Sequence, residues 1–384
     1  MNLKAPTTMT MISSNSVADL SPLERSAPDG QPAQRGAPSV DIETKLDRFV
    51  FSAPPDETIL MSALAAGYDL PYECATGTCG SCHARVMQGA VEPGWTDAPG
   101  YSTLRRDKGD ILMCQARAAG DCVLRVRTGL RQPAVAEPRA MARRGRICDL
   151  RRLTADIIDF DVDLSKPMDF DAGQFVTLQA AGLVGRRAYS MVNFEAGAER
   201  LRFVVKRKPG GRFSDWLFDG SPAGAEVEVR GPLGRATFRP GADRNIVCVA
   251  GGSGLAGMIS IMRRAFETGH FARWRGSLFF GARTLADAFY VEELAEFVTA
   301  GQGAVEATLA ISHEDVAASA HPQFPGVQIG AGMVHEVASS RMSGRWDEVT
   351  GFVAGPQPMV DATLRVFIAE GGLRTDCIRF DKFS

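Results

Sequence analysis

Cys74, Cys79 and Cys82 stand in a C-x4-C-x2-C run with Cys114 as a distant fourth, and this spacing constrains the chain more than any other feature. It is the ligand spacing of a [2Fe–2S] cluster held by four thiolates. A segment that wraps three thiolates around two irons must be a short loop, and Pro71 to Cys82 has the length and the glycines for one. Gly77 and Gly80 let the backbone come close to the sulfides. Cys114 lies in the apolar run Ile111 to Gln115, which reads as a buried strand closing the cage from the other side. With a cluster bound there, the chain is an electron carrier.

Zinc and disulfides are the competing readings of the same residues. Structural zinc usually takes two C-x2-C-like knuckles, whereas here there is one, with a C-x4-C spacing in front of it. Eight cysteines is an even number, but no continuous apolar h-region of a secretion signal precedes them. A reducing compartment, the cytoplasm, is therefore expected, where thiols stay free or bind metal. Cys122, Cys148, Cys248 and Cys377 share no ligand spacing, and Cys148 and Cys248 sit in apolar strand-like runs as core thiols do.

The remaining composition is that of a globular protein of two or three domains: 384 residues, 45% of them hydrophobic, with a formal charge of −2. That balance lacks the basic footprint of a nucleic-acid partner. Residues 139–240 do carry an excess of Lys and Arg, while the sections on either side are acidic, so the middle section suits a pyrophosphate. No membrane span is expected, because the most apolar segment, Ile246 to Met262, is interrupted by Gly251, Gly252, Gly254 and Gly257. Residues 1–38 hold no aromatic residue and are rich in Pro, Ser, Thr, Gln and Ala, which predicts a disordered tail.

Three sections follow the tail. Residues 39–131 alternate as strands around one short helix, Thr58 to Ala66, that stops at Gly67. A Pro-containing stretch, 132–143, reads as a linker. Residues 144–240 show alternating strands at barrel spacing. Within them Arg187-Ala188-Tyr189-Ser190 offers a cation, an aromatic ring and a hydroxyl, as a flavin dinucleotide needs. Gly211-Arg212-Phe213-Ser214 then opens a helix whose free N–H groups suit a pyrophosphate. The bland alternative for that turn, taken alone, is a glycine-rich loop capped by Ser214. Residues 241–384 begin with a strand and Gly251 to Gly257, which contains G-x-G-x-x-G before a helix. A standard ribose site would place an acidic residue about 20 positions on. Arg283 ends the second strand instead, so the glycine-rich phosphate turn is kept and that ribose arrangement rejected. Strands and helices continue to alternate, which predicts a parallel sheet covered on both faces.

Taken in order, the cysteine loop, Arg-x-Tyr-Ser, Gly-Gly-Ser-Gly-Leu-Ala, Phe-Gly-x-Arg and a late Gly-Pro-x-x-Met resemble the ferredoxin–NAD(P)H reductase superfamily with an N-terminal ferredoxin domain. The stretches Trp95 to Gly100, Gly332 to Glu336 and Arg379 to Phe383 are similar to the reductase components of bacterial toluene- and phenol-type di-iron monooxygenases. The resemblance implies a β-grasp ferredoxin, an antiparallel flavin-binding β-barrel and a parallel-sheet nicotinamide-binding domain. It implies that Arg187 to Ser190 hold FAD, with Arg187 on phosphate, Tyr189 against the ring and the Ser190 hydroxyl near the flavin N5, the one catalytic assignment. Val205, Lys206 and Gly211 to Ser214 would line the dinucleotide. For NADH it implies Gly252, Ser253, Gly254 and Leu255 at phosphates, Arg283 at the ribose or phosphate side, and Gly355, Pro356, Gln357 and Met359 at the nicotinamide end. Asp381 and Phe383 would approach the flavin. Two positions depart from the usual pattern: Gly257 stands where proline is common and Ala354 where cysteine is. The implied partner is a terminal oxygenase, reached directly or through a small ferredoxin. A Rieske-type dioxygenase or another acceptor such as a deoxysugar dehydratase is the alternative. The sequence Ser312-His313-Glu314 favours NADH, because Glu314 would repel a 2′-phosphate.

Overall fold

The computed structural model describes residues 36–45, 47–127, 138–220 and 222–383. Residues 1–35 of the expected tail and 132–137 of the expected linker lie outside the described residues. The first sheet contains β1 (Ser39–Glu43), β2 (Arg48–Ser52), β3 (His83–Glu92), β4 (Asp110–Leu112) and β5 (Arg117–Arg125) in the order β2-β1-β5-β3-β4. Only β1 and β5 pair in parallel. Helix α1 (Ile59–Ala65) starts at Thr58, whose side chain accepts the Met61 N–H, and stops before Gly67 with its left-handed φ of +88°. Ile59 to Ala63 are all buried, so this short helix is enclosed rather than amphipathic. Its first N–H groups, from Ile59 and Leu60, donate to the Ala116 and Met113 carbonyls. Those bonds fix the turn that carries Cys114. The expected strand through Cys114 thus ends at Leu112, and the cysteine lies in the following turn, still buried.

The second sheet comprises β6 (Met141–Arg152), β7 (Ile157–Met168), β8 (Phe175–Ala180), β9 (Arg187–Ser190), β10 (Ala198–Lys206) and β11 (Glu226–Leu233). All pairs in the order β10-β7-β6-β11-β8-β9 are antiparallel, and a Met191–Phe203 bridge joins the two ends of the curled sheet. β6 begins inside the stretch read as a linker. Leu201, Phe203 and Val205 point into the barrel core, whereas Arg202, Val204 and Lys206 lie on the outer face of β10. Helix α2 (Arg212–Asp219) follows β10.

The third sheet is built from β12 (Asn245–Gly251), β13 (Gly276–Ala282), β14 (Val305–Ile311), β15 (Ser319–Ala320), β16 (Val327–Ala331), β17 (Val349–Pro356) and β18 (Ile378–Phe383). Its order is β15-β16-β14-β13-β12-β17-β18, parallel throughout except for the β15–β16 pair. Alternate residues of β12 serve different layers. Ile246, Cys248 and Ala250 pack in the layer of α3 (Leu255–Glu267) and α4 (Val291–Ala300), and Val247 and Val249 in that of α5 (Val334–Met342) and α6 (Gln357–Arg365). Both faces are therefore covered, as strand buried on two sides requires. Chain direction across the sheet reverses at β12, and the crevice at the end of this strand receives the glycine-rich turn. The apolar segment Ile246 to Met262 is strand, turn and helix, and no helix among the described residues is long and apolar enough to cross a membrane.

Gly254 sits so close to β17 that a Cβ there would lie 2.1 Å from the Ala354 carbonyl oxygen. Backbone cannot yield as a flexible side chain does. Gly254→Ala is expected to destabilise the protein by about 2 kcal/mol or more through this overpacking, measured by thermal unfolding; unchanged stability would mean that the turn can move off β17.

Candidate functional site

The cysteine loop is shaped by left-handed residues, Ala75 at φ +55°, Gly77 at +89° and Gly80 at +81°. They turn backbone N–H groups toward sulfur. Thr76 and Cys79 N–H both donate to Cys74 Sγ at 3.4 Å, Ser81 N–H donates to Cys79 Sγ at 3.5 Å, and Gln115 Nε2 lies 3.5 Å from Cys114 Sγ. The Trp95 to Gly100 stretch braces the loop: Gly100 N–H donates to the Gly77 carbonyl at 2.9 Å. A Cβ on Gly100 would stand 2.8 Å from both Gly77 O and Gly80 N. That bracing role was not deduced from the sequence, although the Ala-Pro-Gly run was its signal.

The four thiols come together as two pairs. A hydrogen bond from Cys79 holds the Cys74 thiol down to about 4, and the same contact drives Cys79 up. Cys82 is driven up by its hydrogen bond with Cys114 and by burial. Among the described residues no group of three or more His, Cys, Asp or Glu could hold a single metal ion. Two pairs of thiols with N–H donors aimed at sulfur fit the two irons of a [2Fe–2S] cluster. All eight cysteines are free.

A cavity of about 360 Å³ opens directly behind the loop. Glu73, Cys74, Thr76, Thr78 and Trp95 form its wall on one side, and Arg187, Ala188, Tyr189 and Ser190 of β9 form it on another. Arg187 donates to the Arg186 carbonyl at 2.8 Å and lines the cavity. The Tyr189 ring lies 5.5 Å from that of Phe213, and burial pushes its hydroxyl up. Ser190 is buried, and a Cβ built on Gly257 of α3 would come no closer than 3.7 Å to its neighbours, including Ser190. Glycine is therefore not sterically required at position 257.

The structure separates the remaining expected flavin contacts. Lys206 lines the cavity, but Val205 turns into the barrel core and Val204 takes its place. The cause is strand alternation, which puts neighbouring residues on opposite faces. Gly211, Phe213 and Ser214 line the cavity at the start of α2, whereas Arg212 is exposed and outside it. The Ser214 hydroxyl is occupied by its own turn, accepting from Lys208 N–H at 3.1 Å. Phe380 to Phe383 of β18 complete the wall. Asp381 is partly buried there, and loss of hydration, with the Glu73 carboxylate second, pushes it up to about 7. A larger cavity of about 760 Å³, lined by Ile378 to Asp381 of β18, shares Glu73, Phe380 and Asp381 but holds none of the expected cofactor residues beyond Asp381.

For the nicotinamide dinucleotide, Ser253 reaches the same cavity, and Gly252, at φ +54°, would place a Cβ 4.0 Å from Lys206. Leu255 is wholly buried and its N–H is turned back to the Gly252 and Ser253 carbonyls, so neither is free for phosphate. Met359 folds over the glycine pair: its Cε would meet a Cβ on Gly251 at 3.0 Å or on Gly355 at 2.5 Å. Gln357 starts α6, and Pro356 lies in register with Phe383. Arg283 directly follows β13, 3.4 Å from Asp156 and 3.2 Å from Asp287.

Comparison with known proteins assigns each of the three sections to a domain family. Residues 43–119 match the 2Fe-2S iron-sulfur cluster binding domain, 145–238 the oxidoreductase FAD-binding domain and 248–365 the oxidoreductase NAD-binding domain. The chain is 38% identical over 336 residues to the ferredoxin–NAD(+) reductase component of the alkene monooxygenase system of Xanthobacter autotrophicus, covering 87% of this chain and 97% of that one. It is 34% identical to the ferredoxin–NAD(P)(+) reductase CarAd of Metapseudomonas resinovorans, over 85% of this chain and 94% of the relative. The solved ferredoxin reductase of carbazole 1,9a-dioxygenase superposes with a TM-score of 0.76 at 32% identity, covering 90% of this chain and 99% of the other. The chain belongs to the ferredoxin–NAD(P)H reductase superfamily, among members that carry an iron–sulfur domain. It is an electron-transfer oxidoreductase using NADH, FAD and a [2Fe–2S] cluster.

Two outcomes test the geometry. If Arg187 meets a flavin phosphate, a charge-assisted contact of about 1.5–3 kcal/mol, then Arg187→Ala should weaken FAD retention roughly tenfold or more. Full flavin absorbance after long dialysis would contradict it. Asp381 titrates higher folded than unfolded, so its ionisation lowers stability as pH rises from about 4 through 7. In FAD-loaded protein, Asp381→Asn should raise Tm most above pH 7 and least near pH 4; a pH-independent difference would show that the carboxyl does not lose hydration as described.

Proposed function

We propose that this reductase passes electrons from NADH, through FAD and the [2Fe–2S] cluster, to the oxygenase component of a multicomponent di-iron monooxygenase in the cytoplasm. One observation supports it above others: a single cavity is walled by Cys74 of the cysteine loop, by Arg187 to Ser190 of the barrel and by Ser253 of the glycine-rich turn, so all three sections meet at it. When bound, FAD accepts the two electrons of a hydride and releases them singly, as an iron–sulfur cluster requires. In this reading Arg187 and the α2 N-terminus bind the flavin phosphates, and Tyr189 and Phe213 offer apolar surface. Ser190 orients its hydroxyl toward the reacting edge. Gly252 and Ser253 give backbone donors to the nicotinamide dinucleotide, while Pro356, Met359 and Phe383 close its far end against water. Cys79 is exposed and marks the edge where electrons leave.

The surroundings of Arg283 support NADH over NADPH. Its guanidinium already faces Asp156 and Asp287, and the Glu314 carboxylate, from the segment after β14, accepts the Leu285 N–H at 2.7 Å. A 2′-phosphate would meet three carboxylates there. The relatives' names include both a monooxygenase and a dioxygenase system, so the acceptor must be tested directly. With NADH and a di-iron hydroxylase, the parent protein should yield hydroxylated product, and no product should form without the hydroxylase once peroxide is removed by catalase. Cys79→Ser should retain NADH–ferricyanide activity but lose cytochrome c reduction and product. Turnover restricted to a Rieske oxygenase, product from the Cys79→Ser variant, or a kcat/KM favouring NADPH would each overturn part of this reading.

A further inference from the structure

Arg283 opens a loop, residues 283–290, that ends at Tyr290, the N-cap of α4. Tyr290 holds a left-handed backbone at φ +57°, a conformation that a bulky residue keeps only where its surroundings enforce it. The enforcing groups belong to the barrel. The Tyr290 hydroxyl donates at 2.6 Å to Asp159 Oδ2, and Asp159 is wholly buried on β7. Arg151 approaches Asp159 Oδ1 at 2.9 Å and Arg202 approaches Oδ2 at 2.6 Å, so two guanidinium groups balance the carboxylate. Arg202 also lies 5.1 Å from the centre of the Tyr290 ring and 3.8 Å from Glu293 of α4. Three residues before Asp159, Asp156 meets both Arg283 at 3.4 Å and Lys206 at 3.2 Å. One end of β7 therefore grips both ends of the loop.

A buried ion pair says little about net stability, because desolvation offsets attraction. It does admit only one arrangement of its members, and here that arrangement spans two domains. We propose that Asp159 and Tyr290 are positioning residues for the nicotinamide dinucleotide: through their hydrogen bond the barrel holds loop 283–290 and so places Arg283. The inference rests on Arg283 meeting the nucleotide. The affinity for NADH is then set jointly by the flavin barrel and the nucleotide domain.

Tyr290→Phe removes the hydroxyl and keeps the ring over Arg202. In the FAD- and cluster-loaded protein it should raise KM for NADH and Kd for ADP-ribose about fivefold or more, with kcat for ferricyanide within about twofold, since only binding common to ground and transition states is lost. Amide exchange in residues 283–290 of the nucleotide-free protein should accelerate while that of α3 does not. In an Arg283→Ala background the same substitution should add nothing further to KM. Asp159→Asn carries the same expectations if Tyr290→Phe gives no soluble protein. Unchanged exchange in 283–290, independent multiplication of the two KM effects, or a fall in kcat at constant KM overturns the proposal. An unchanged KM in Arg283→Ala alone, with exchange still accelerated by Tyr290→Phe, would instead overturn the assignment of Arg283 and leave the clamp of the loop standing.

Discussion

Three separately wound sheets must meet at one cavity, and side-chain packing between them holds that meeting point in place. On the nucleotide side, Ile157, Val192, Val204 and Phe238 of the barrel section belong to the same buried cluster as β12, β13 and α3. On the cluster side, Phe175 and Leu233 join the core around α1. Interfaces of this kind resemble a domain interior, and the relative motion usually expected between loosely docked domains is correspondingly restrained. Polar contacts then fix direction. The Gly234 N–H donates to the Tyr72 hydroxyl at 2.9 Å, Arg235 pairs with Asp69, and Arg230 pairs with Glu57. Ser260 of α3 donates to the Asn193 carbonyl at 3.1 Å.

Charge is buried where these sections need a defined register. In the first sheet, burial would raise the Asp110 carboxyl, but Arg85 and His83 outweigh it and hold the group at about 2. Asp110 also accepts the Arg105 N–H at 3.1 Å, which ties the segment before β4 to the strand leading toward Cys114. Asp381 is different: no cation stands among the groups acting on it, and its carboxyl rises toward neutrality at the flavin wall. The first arrangement secures a fold and the second leaves a proton-bearing group beside the cavity.

Much of the site was legible in the sequence because its signals are local. The cysteine loop needs three ligands within nine residues, and β9 carries its cation, ring and hydroxyl on four consecutive positions. Ligand spacing survives any tertiary arrangement, so it can be read without one. What escaped depends on register or on distance along the chain. Val205 was read as a flavin contact, but alternation on β10 turns Val204 outward instead. Leu255 belongs to the glycine-rich motif yet spends its side chain on the core and its N–H on the turn. The end of β4 before Cys114 is set by α1, whose N–H groups claim the carbonyls that a longer strand would use. The contact between Asp159 and Tyr290 joins residues 131 positions apart, and no short motif announces it.

The two departures from the usual family pattern can be weighed by what surrounds them. Around Gly257 the nearest atoms to an added Cβ stand at ordinary contact distance, so the position tolerates either a side chain or none. Ala354 is buried, in register with Ala250 on one side and Asp381 on the other. Its carbonyl, not its side chain, is the group pressed against Gly254. The backbone of β17 thus shapes the phosphate turn whatever side chain stands at 354. A small residue there leaves the turn, the Met359 fold-over and the Pro356–Phe383 register as they are, so the departure at Ala354 does not alter how this turn is built.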